Sequence, residues 1–480
     1  MKIIIIGAGI SGLSTYLFLK KFLPSRSKSP AHDIKIYETY PSLRRKQRES
    51  VNANEGGASI IGGGLGLSPN GMSVIHDLDP ELYHAVLAQG YPGTHAVAKS
   101  ARGWTLGEVS FRKVGGVQEM IVWSSRQGIW DCFRDKVPDK DIICGKVLRR
   151  VSKKADGSLT AEFNDGTILA ADLIIGADGV KSAVKRSVVG DGENDEYPPS
   201  YEGLVGVGGF MPSSYLQQPA TDLKGEPVTS PFTLTFGAAG FFGYGPSDSP
   251  AGYKVPENVD LTSFVSPVGP TAMWWSTFES AEVPDIKAID KEDIKRQLKA
   301  RHGDWNDPVI RKLVEDVNID LMLPTYTTPS LPTWSRDEVV LIGDAAHALP
   351  PTSGQGASQC LEDSYMFSLL LSHQLTTLYS HSSPSPSASA PTSESEAIKL
   401  AAKTYYALRQ PRVNRILEFA RKMGGRKKRM NVVEEYLTYL LLYVVFNFMP
   451  DFNGPFLYDY SVKDEVEKEL RRQREAATKT

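Results

Sequence analysis

A run of branched aliphatics goes straight into a glycine-rich hexapeptide at the start of this chain, and few local patterns restrict topology more. Lys2-Ile3-Ile4-Ile5-Ile6 is followed by Gly7-Ala8-Gly9-Ile10-Ser11-Gly12, then by a helical stretch, Leu13 to Phe22. After a polar loop, Ser25 to His32, Ile34-Lys35-Ile36-Tyr37-Glu38 reads as a second strand ending in an acid. Strand, glycine turn, helix and acid-ended strand in this order form the βαβ fingerprint of a dinucleotide site. Gly7 permits the tight turn, Gly9 lets backbone approach a pyrophosphate, and Gly12 lets helix pack close to strand. The helix N-terminus offers unpaired N–H groups and the positive end of its dipole to phosphate. Glu38 is placed to accept from ribose hydroxyls, and its charge repels a 2′-phosphate, so NADP is not expected here. The unit alone leaves NAD and FAD open. A signal peptide is the competing reading of the N-terminus, but the apolar run is far shorter than such a segment requires.

At 480 residues the chain has material for two or three lobes. With 41% hydrophobic and 23% charged residues it is neither wholly disordered nor a multi-span membrane protein. A formal net charge of −2 removes the electrostatic case for a nucleic-acid binder. The three cysteines, Cys132, Cys144 and Cys360, make neither a disulfide scaffold nor a CxxC zinc pair, so a reducing compartment, the cytoplasm, is expected.

Two further glycine–acid elements lie downstream. Asp172 to Ile175 reads as a strand that enters Gly176-Ala177-Asp178-Gly179 before a helix. Val339 to Ile342 reads as a strand that enters Gly343-Asp344-Ala345-Ala346-His347-Ala348-Leu349-Pro350-Pro351-Thr352-Ser353-Gly354-Gln355-Gly356-Ala357, with Glu362 and Asp363 on the helix beyond. Together with the fingerprint, Asp178-Gly179 and Gly343-Asp344 resemble, in order and separation, the motifs of the single-component FAD-dependent aromatic hydroxylases, the para-hydroxybenzoate and salicylate hydroxylase family. The stretch Gly62 to Asn70 (GGGLGLSPN), Ser125-Arg126, Tyr405 to Ile416 and Leu457-Tyr458-Asp459-Tyr460 are similar to that family as well. The likeness spans most of the chain and is weakest from about Tyr201 to Pro329.

The resemblance implies an α/β fold: a Rossmann-like FAD-binding domain interleaved with a mixed β-sheet substrate domain and followed by a C-terminal helical segment. The corresponding spans are 1–75, 120–200 and 330–380 for FAD, 76–119 and 201–329 for substrate, a mobile Ser/Pro insertion at 381–396, and helices over 397–480. It also implies FAD as the resident cofactor and NADPH or NADH as a transient one, without a Rossmann domain of its own. Residues expected at the FAD are Gly7, Gly9, Gly12, Glu38, Gly63, Gly64, Arg126, Asp178, Asp344, Gly354, Gly356 and Ala357. Asp344 would accept from ribityl hydroxyls, and Arg126 would neutralise a phosphate. The N–H groups from Gly354 to Ala357 would face the pyrimidine edge of the ring. Taken singly, Asp178 is also a tight-turn residue, Asp344 a helix N-cap and Arg126 a surface ion-pair former. The implied reaction is hydroxylation or epoxidation of an electron-rich aromatic, heterocyclic or polycyclic compound by NAD(P)H and O2 through a flavin hydroperoxide.

Between the second and third motifs, strands are expected at Leu204 to Phe210, Phe232 to Phe236, Gly240 to Tyr244 and Ala272 to Phe278, with helices at Lys291 to His302 and Asp307 to Glu315. Phe242, Tyr244, Trp274 and Trp275, with Pro351 from the third motif, are the expected substrate pocket; the alternative is that strand aromatics simply build a core. Many family members carry an Arg where this chain has Gly208, so a carboxylate clamp by that route is not expected. No catalytic base is identifiable, and His347 reads as structural.

Two other readings are carried. A flavin-dependent halogenase shares the fold, but its W-x-W-x-I-P element is missing, and Trp274-Trp275 is not it. A non-enzymatic FAD-binding protein could be held at a membrane by the basic run Arg421 to Arg429 and the apolar stretch Tyr436 to Met449. A solvated helix end followed by a core helix is the preferred reading of that region.

Overall fold

The computed structural model describes residues 1–25, 31–41, 63–111, 119–154, 157–192, 194–216, 232–256, 259, 264, 266–285, 290–316, 319–380, 391–425, 429–449 and 454–479. Most of the expected loop at 25–32, Gly62, the Ser/Pro stretch 381–390 and the basic residues 426–428 lie outside them.

Ile3, Ile4 and Ile5 are fully buried because their strand lies inside a sheet covered on both faces, which is why it is continuously apolar. Lys2–Ile6 pairs in parallel with Asp33–Glu38 on one side and with Leu173–Gly176 on the other. Leu173–Gly176 in turn pairs in parallel with Val339–Leu341. All three glycine motifs therefore leave the same edge of one six-stranded sheet, at the carboxyl ends of adjacent strands, where open α/β sheets bind ligands. The helices Ile10–Phe22 and Gly356–Ser380 pack side by side against this sheet.

The second body is a seven-stranded mixed sheet. Its order is Leu321–Thr327, Ser200–Pro212, Thr271–Glu279, Gly240–Pro246, Thr233–Gly237, His95–Ser100 and Thr105–Ser110. One face packs against the helices Lys291–His302 and Pro308–Asp316, forming a core of its own. The helix Pro80–Gln89 puts Leu82, Val86 and Leu87 into the first core, so the crossing to the second sheet begins near His95 and not at 76. The helix expected after the Ser/Pro stretch starts at Glu394, inside the span taken as mobile. There Tyr379 donates to Glu394 and Ser395 to Glu338.

His302 sits at the end of its helix, fully buried beneath the second sheet, with Nε2 2.8 Å from Ser276 Oγ and Nδ1 unpartnered. Burial first, and then the charge of Arg301, push its imidazole down to about 3, so it is neutral in the fold. A histidine that ionises only on unfolding stabilises the fold above its ordinary value near 6.5 and loses that contribution as pH falls toward 3, by about 1.4 kcal/mol per unit. Urea unfolding at pH 7 and pH 5 is expected to show a loss of about 2 kcal/mol from this group. His302→Gln should remove that part of the slope; an unchanged slope would refute the assignment.

Candidate active site

Gly7 has φ +103°, and a β-carbon there would stand 2.5 Å from the carbonyl oxygen of Ala177, beside the Asp178 motif. One on Gly12 would drive into the carbonyl of Gly7. These two glycines are required by packing. Gly9 differs: nothing lies within 4 Å of its missing β-carbon. Glu38 is buried at the end of the second strand, accepting from the Ala8 N–H at 2.7 Å and the Tyr40 N–H at 3.0 Å. The fingerprint turn and the acid are thus locked to each other.

Gly343, at φ +63°, lies over the first helix, where a β-carbon would be 2.5 Å from Ser11 Oγ and 2.9 Å from Cys360 Cβ. Asp344, next in sequence, is exposed although its neighbours on both sides are buried. Its carboxylate makes no hydrogen bond or ion pair with any described residue. Gly354 is left-handed at φ +61°, and both Gly354 and Gly356 have open space within 4 Å of where a β-carbon would stand. Gly356 then begins a 25-residue helix.

Ser125 caps the helix Arg126–Asp135, and the Arg126 N–H donates to Gly63 O at 3.0 Å. That bond brings the arginine next to Gly63 and Gly64. Its side chain is exposed, with no ion pair to a described residue, and its charge reaches Cys360, which also feels Asp344. Asp178 is differently employed. Its carboxylate accepts from Ser182 Oγ at 2.5 Å and from the N–H groups of Ala183 and Val184, capping the helix Ala183–Val189.

Beneath these turns runs a buried polar network to which sequence reasoning assigned no role. Arg409 is fully buried. Its Nε donates to Asp363 at 2.8 Å, its guanidinium pairs with Glu362, and it also reaches Gln359. Arg412 forks onto Glu362 with two bonds of 2.8 Å. Asp363 further holds His347 Nε2 at 2.6 Å and the Gly343 N–H at 2.9 Å. Glu362 accepts from Asn70, which also donates to Gln355. Burial opposes ionisation of both acids, yet Arg412 and Arg409 hold Glu362, and His347 and Arg409 hold Asp363, below the usual carboxylate range. The network ties the Gly343-Asp344 turn, the Gly354–Gly356 turn and the Asn70 segment to one rigid base. The available signal was two acids in a helix with no other Asp, Glu, Lys or Arg, which must find cations when buried.

The pleat of the second sheet decides which expected pocket residues face this region. A β-carbon on Gly63 would meet Leu321, and one on Gly64 would meet Met273 Sδ. By alternation and register, that face also carries Gly206, Gly208, Leu323 and Trp275. Phe242, Tyr244 and Trp274 point the other way. Phe242 stacks on Trp274 with centroids 5.6 Å apart, and Tyr244 donates to Asp307 at 2.9 Å, all within the core under the two helices. Their place in the pocket is therefore corrected: adjacent residues on a strand, such as Trp274 and Trp275, cannot share a face. Trp275 stays on the side of the glycine loop, half-buried between Phe232 and Phe241. Pro351 is exposed at the turn that precedes Gly354.

Comparison with known proteins gives these turns a context. Residues 264–380, which include the third motif, match a family model described as an FAD binding domain. The chain is 27% identical over 381 residues to 3-amino-4-hydroxybenzoate 2-monooxygenase of Streptomyces cremeus, covering 76% of each. It is 25% identical over 444 residues to the FAD-dependent monooxygenase pigN of Monascus ruber, covering 88% of this chain and 86% of that one. Among solved structures, HpxO of Klebsiella pneumoniae, complexed with FAD and uric acid, superposes with a TM-score of 0.66 at 20% identity, over 94% of this chain and 96% of that one. These likenesses make the chain an FAD-dependent monooxygenase similar to the aromatic hydroxylases.

The residues present in this monooxygenase fit its cofactor. Three glycines stand under open space, one carboxylate (Asp344) and one guanidinium (Arg126) are left without protein partners among the described residues, and Glu38 is fixed beside the fingerprint turn. Arg126→Ala should weaken FAD retention about 10- to 150-fold, in line with ~1.5–3 kcal/mol for a charge-assisted bond, with no change in melting temperature of the apoprotein. Flavin fluorescence on dilution reads this out; unchanged retention would assign Arg126 to the surface.

Proposed function

We propose that this monooxygenase uses NAD(P)H and O2 to hydroxylate or epoxidise a neutral aromatic, heterocyclic or polycyclic compound and not a benzoate-like acid. The observation that carries this reading is the character of the sheet face beside Gly63 and Gly64. Leu321, Leu323, Met273 and Trp275 are apolar, and Gly206 and Gly208 stand between them, with no basic side chain among the described residues of that face to receive a carboxylate. An apolar wall favours flat uncharged rings and excludes water.

In this reading Gly9 and Glu38 hold the adenosine and pyrophosphate end of FAD, Arg126 a phosphate, and Asp344 the ribityl chain. FAD held there would supply the redox chemistry that the polypeptide lacks, passing electrons from NAD(P)H to O2. The N-terminus of the helix Gly356–Ser380 directs N–H groups and a positive dipole end at the pyrimidine edge, stabilising negative charge there by ~0.3–2 kcal/mol. The Arg409–Asp363–His347 network keeps both third-motif turns in place, which pre-organises those donors. Trp275 and Pro351 bound the substrate space. None of the three cysteines forms a disulfide, which supports a reducing compartment such as the cytoplasm.

The test is NAD(P)H oxidation and oxygenated product from the yellow protein, offered neutral phenols and fused-ring compounds beside matched benzoates. At least a tenfold stimulation by the neutral set is expected. Stimulation by benzoates alone would overturn the substrate class, and chlorinated product in the presence of chloride would return the halogenase reading.

A further inference from the structure

Among the described residues sixteen large apolar side chains are exposed, and ten of them lie between Val432 and Met449. This is one helix, Val432–Phe448, and its sequence alone suggested a core element. The structure buries only Glu435, Tyr439 and Leu442 of it. Tyr439 and Leu442 pack on Leu106, Phe236 and Phe241 of the second sheet, Glu435 pairs with Arg102 at 3.2 Å, and Asn447 donates to Leu106 O at 2.7 Å. The opposite side presents Val433, Leu437, Leu440, Val444 and Phe448 to solvent, with Leu437 and Leu440 each 60% exposed. The hairpin between His95–Ser100 and Thr105–Ser110 adds exposed Trp104, which meets Tyr436 edge-on at 5.8 Å. The patch thus draws on two elements that are far apart in sequence.

We infer that this face docks on the surface of an anionic lipid bilayer. Charge complementarity selects that occupant. The chain just before the helix contains Arg421, Lys422, Arg426, Lys427, Lys428 and Arg429 with no acid before Asn431. Lys422 and Arg429 are exposed. On the outer side of the helix the one acid is Glu434, and it is tied to the backbone N–H of Asn431 in a capping box. A basic end, an apolar face and ring side chains at the rim suit a helix lying in the headgroup boundary. No helix among the described residues is long and apolar enough to cross a membrane, so the helix lies flat. Docked this way, the second sheet rests on the lipid through the very helix that packs on Phe241, the neighbour of Trp275.

The test uses the FAD-loaded full chain and sedimentation with vesicles of phosphatidylcholine alone or with about 30% phosphatidylserine. Binding at least tenfold tighter to the serine-lipid vesicles is expected, weakened by high salt. The pair Leu437→Glu and Leu440→Glu should lose it while keeping flavin and melting temperature. Lys422→Glu with Arg429→Glu should lose it separately, a second variant that leaves the helix intact. Failure of the wild-type protein to bind, or equal binding by both variants, would overturn the inference. A concentration-dependent dimer abolished by the leucine variants, without vesicle binding, would assign the face to a second copy and overturn it too.

Discussion

Asp344→Ala is expected to yield a folded but colourless protein whose NAD(P)H oxidation is lost unless FAD is added in large excess. The reason is local. Asp344 is the exposed residue in a buried stretch, at the N-terminus of a four-residue helix, and the fold makes no use of its carboxylate through any described residue. Its removal therefore costs the apoprotein little. A carboxylate that accepts hydroxyl donors contributes ~1.5–3 kcal/mol, so FAD affinity should fall about 10- to 150-fold. Absorbance of the purified protein, a melting curve without flavin, and titration with FAD separate the two effects. A variant that purified fully yellow and active would remove Asp344 from the cofactor site.

Arg409→Met acts beneath the same turn and should be felt as stability. The guanidinium is the shared partner of Glu362 and Asp363, and all three are fully buried. Its loss leaves Asp363 with His347 and Glu362 with Arg412, in a site where breaking a buried pair typically costs about 3–5 kcal/mol. Chemical denaturation at neutral pH should show a loss of that order, with flavin released early because the Gly343 N–H loses its fixed acceptor. The pH dependence has a definite sign. Both carboxyls titrate below their unfolded values, so the stability they contribute is present above about pH 4 and disappears as pH falls further. In the variant this acid-side slope should flatten. A variant as stable as the parent would make the network incidental to the fold.

Much of the first body was legible as local pattern. The strand at Lys2–Ile6 and a helix ending at Phe22 follow from the run of β-branched residues and the glycine spacing; the structure starts that helix at Ile10, three residues before the expected Leu13. The helix Lys291–His302 was bounded to the residue, since Asp290 caps it and basic residues close it. Four of the seven strands of the second sheet were expected, with ends shifted by up to four residues, while His95–Ser100, Thr105–Ser110 and Leu321–Thr327 were not. What the reading could not see was orientation. Phe242 and Trp274 were recognised as strand aromatics, but which face they take depends on the register of Gly240–Pro246 against Thr271–Glu279 and on where the helices dock. The fate of Val432–Phe448 was hidden for a related reason. Its composition is that of a buried helix, and only the place where it meets the sheet leaves most of it uncovered.

By itself, then, the order of residues determined the kind of ligand: the glycine fingerprint, two glycine–acid turns and the acid closing the second strand carry their chemistry in backbone geometry and spacing, which are local properties. Assembly in three dimensions decided the rest. It chose which acid caps a helix (Asp178) and which stays open (Asp344), supplied Arg409 from 46 residues beyond Asp363 to neutralise a buried pair, and turned one sheet face toward the glycine loop. Burial, pairing and facing are relations between distant segments, and no window of sequence contains both partners.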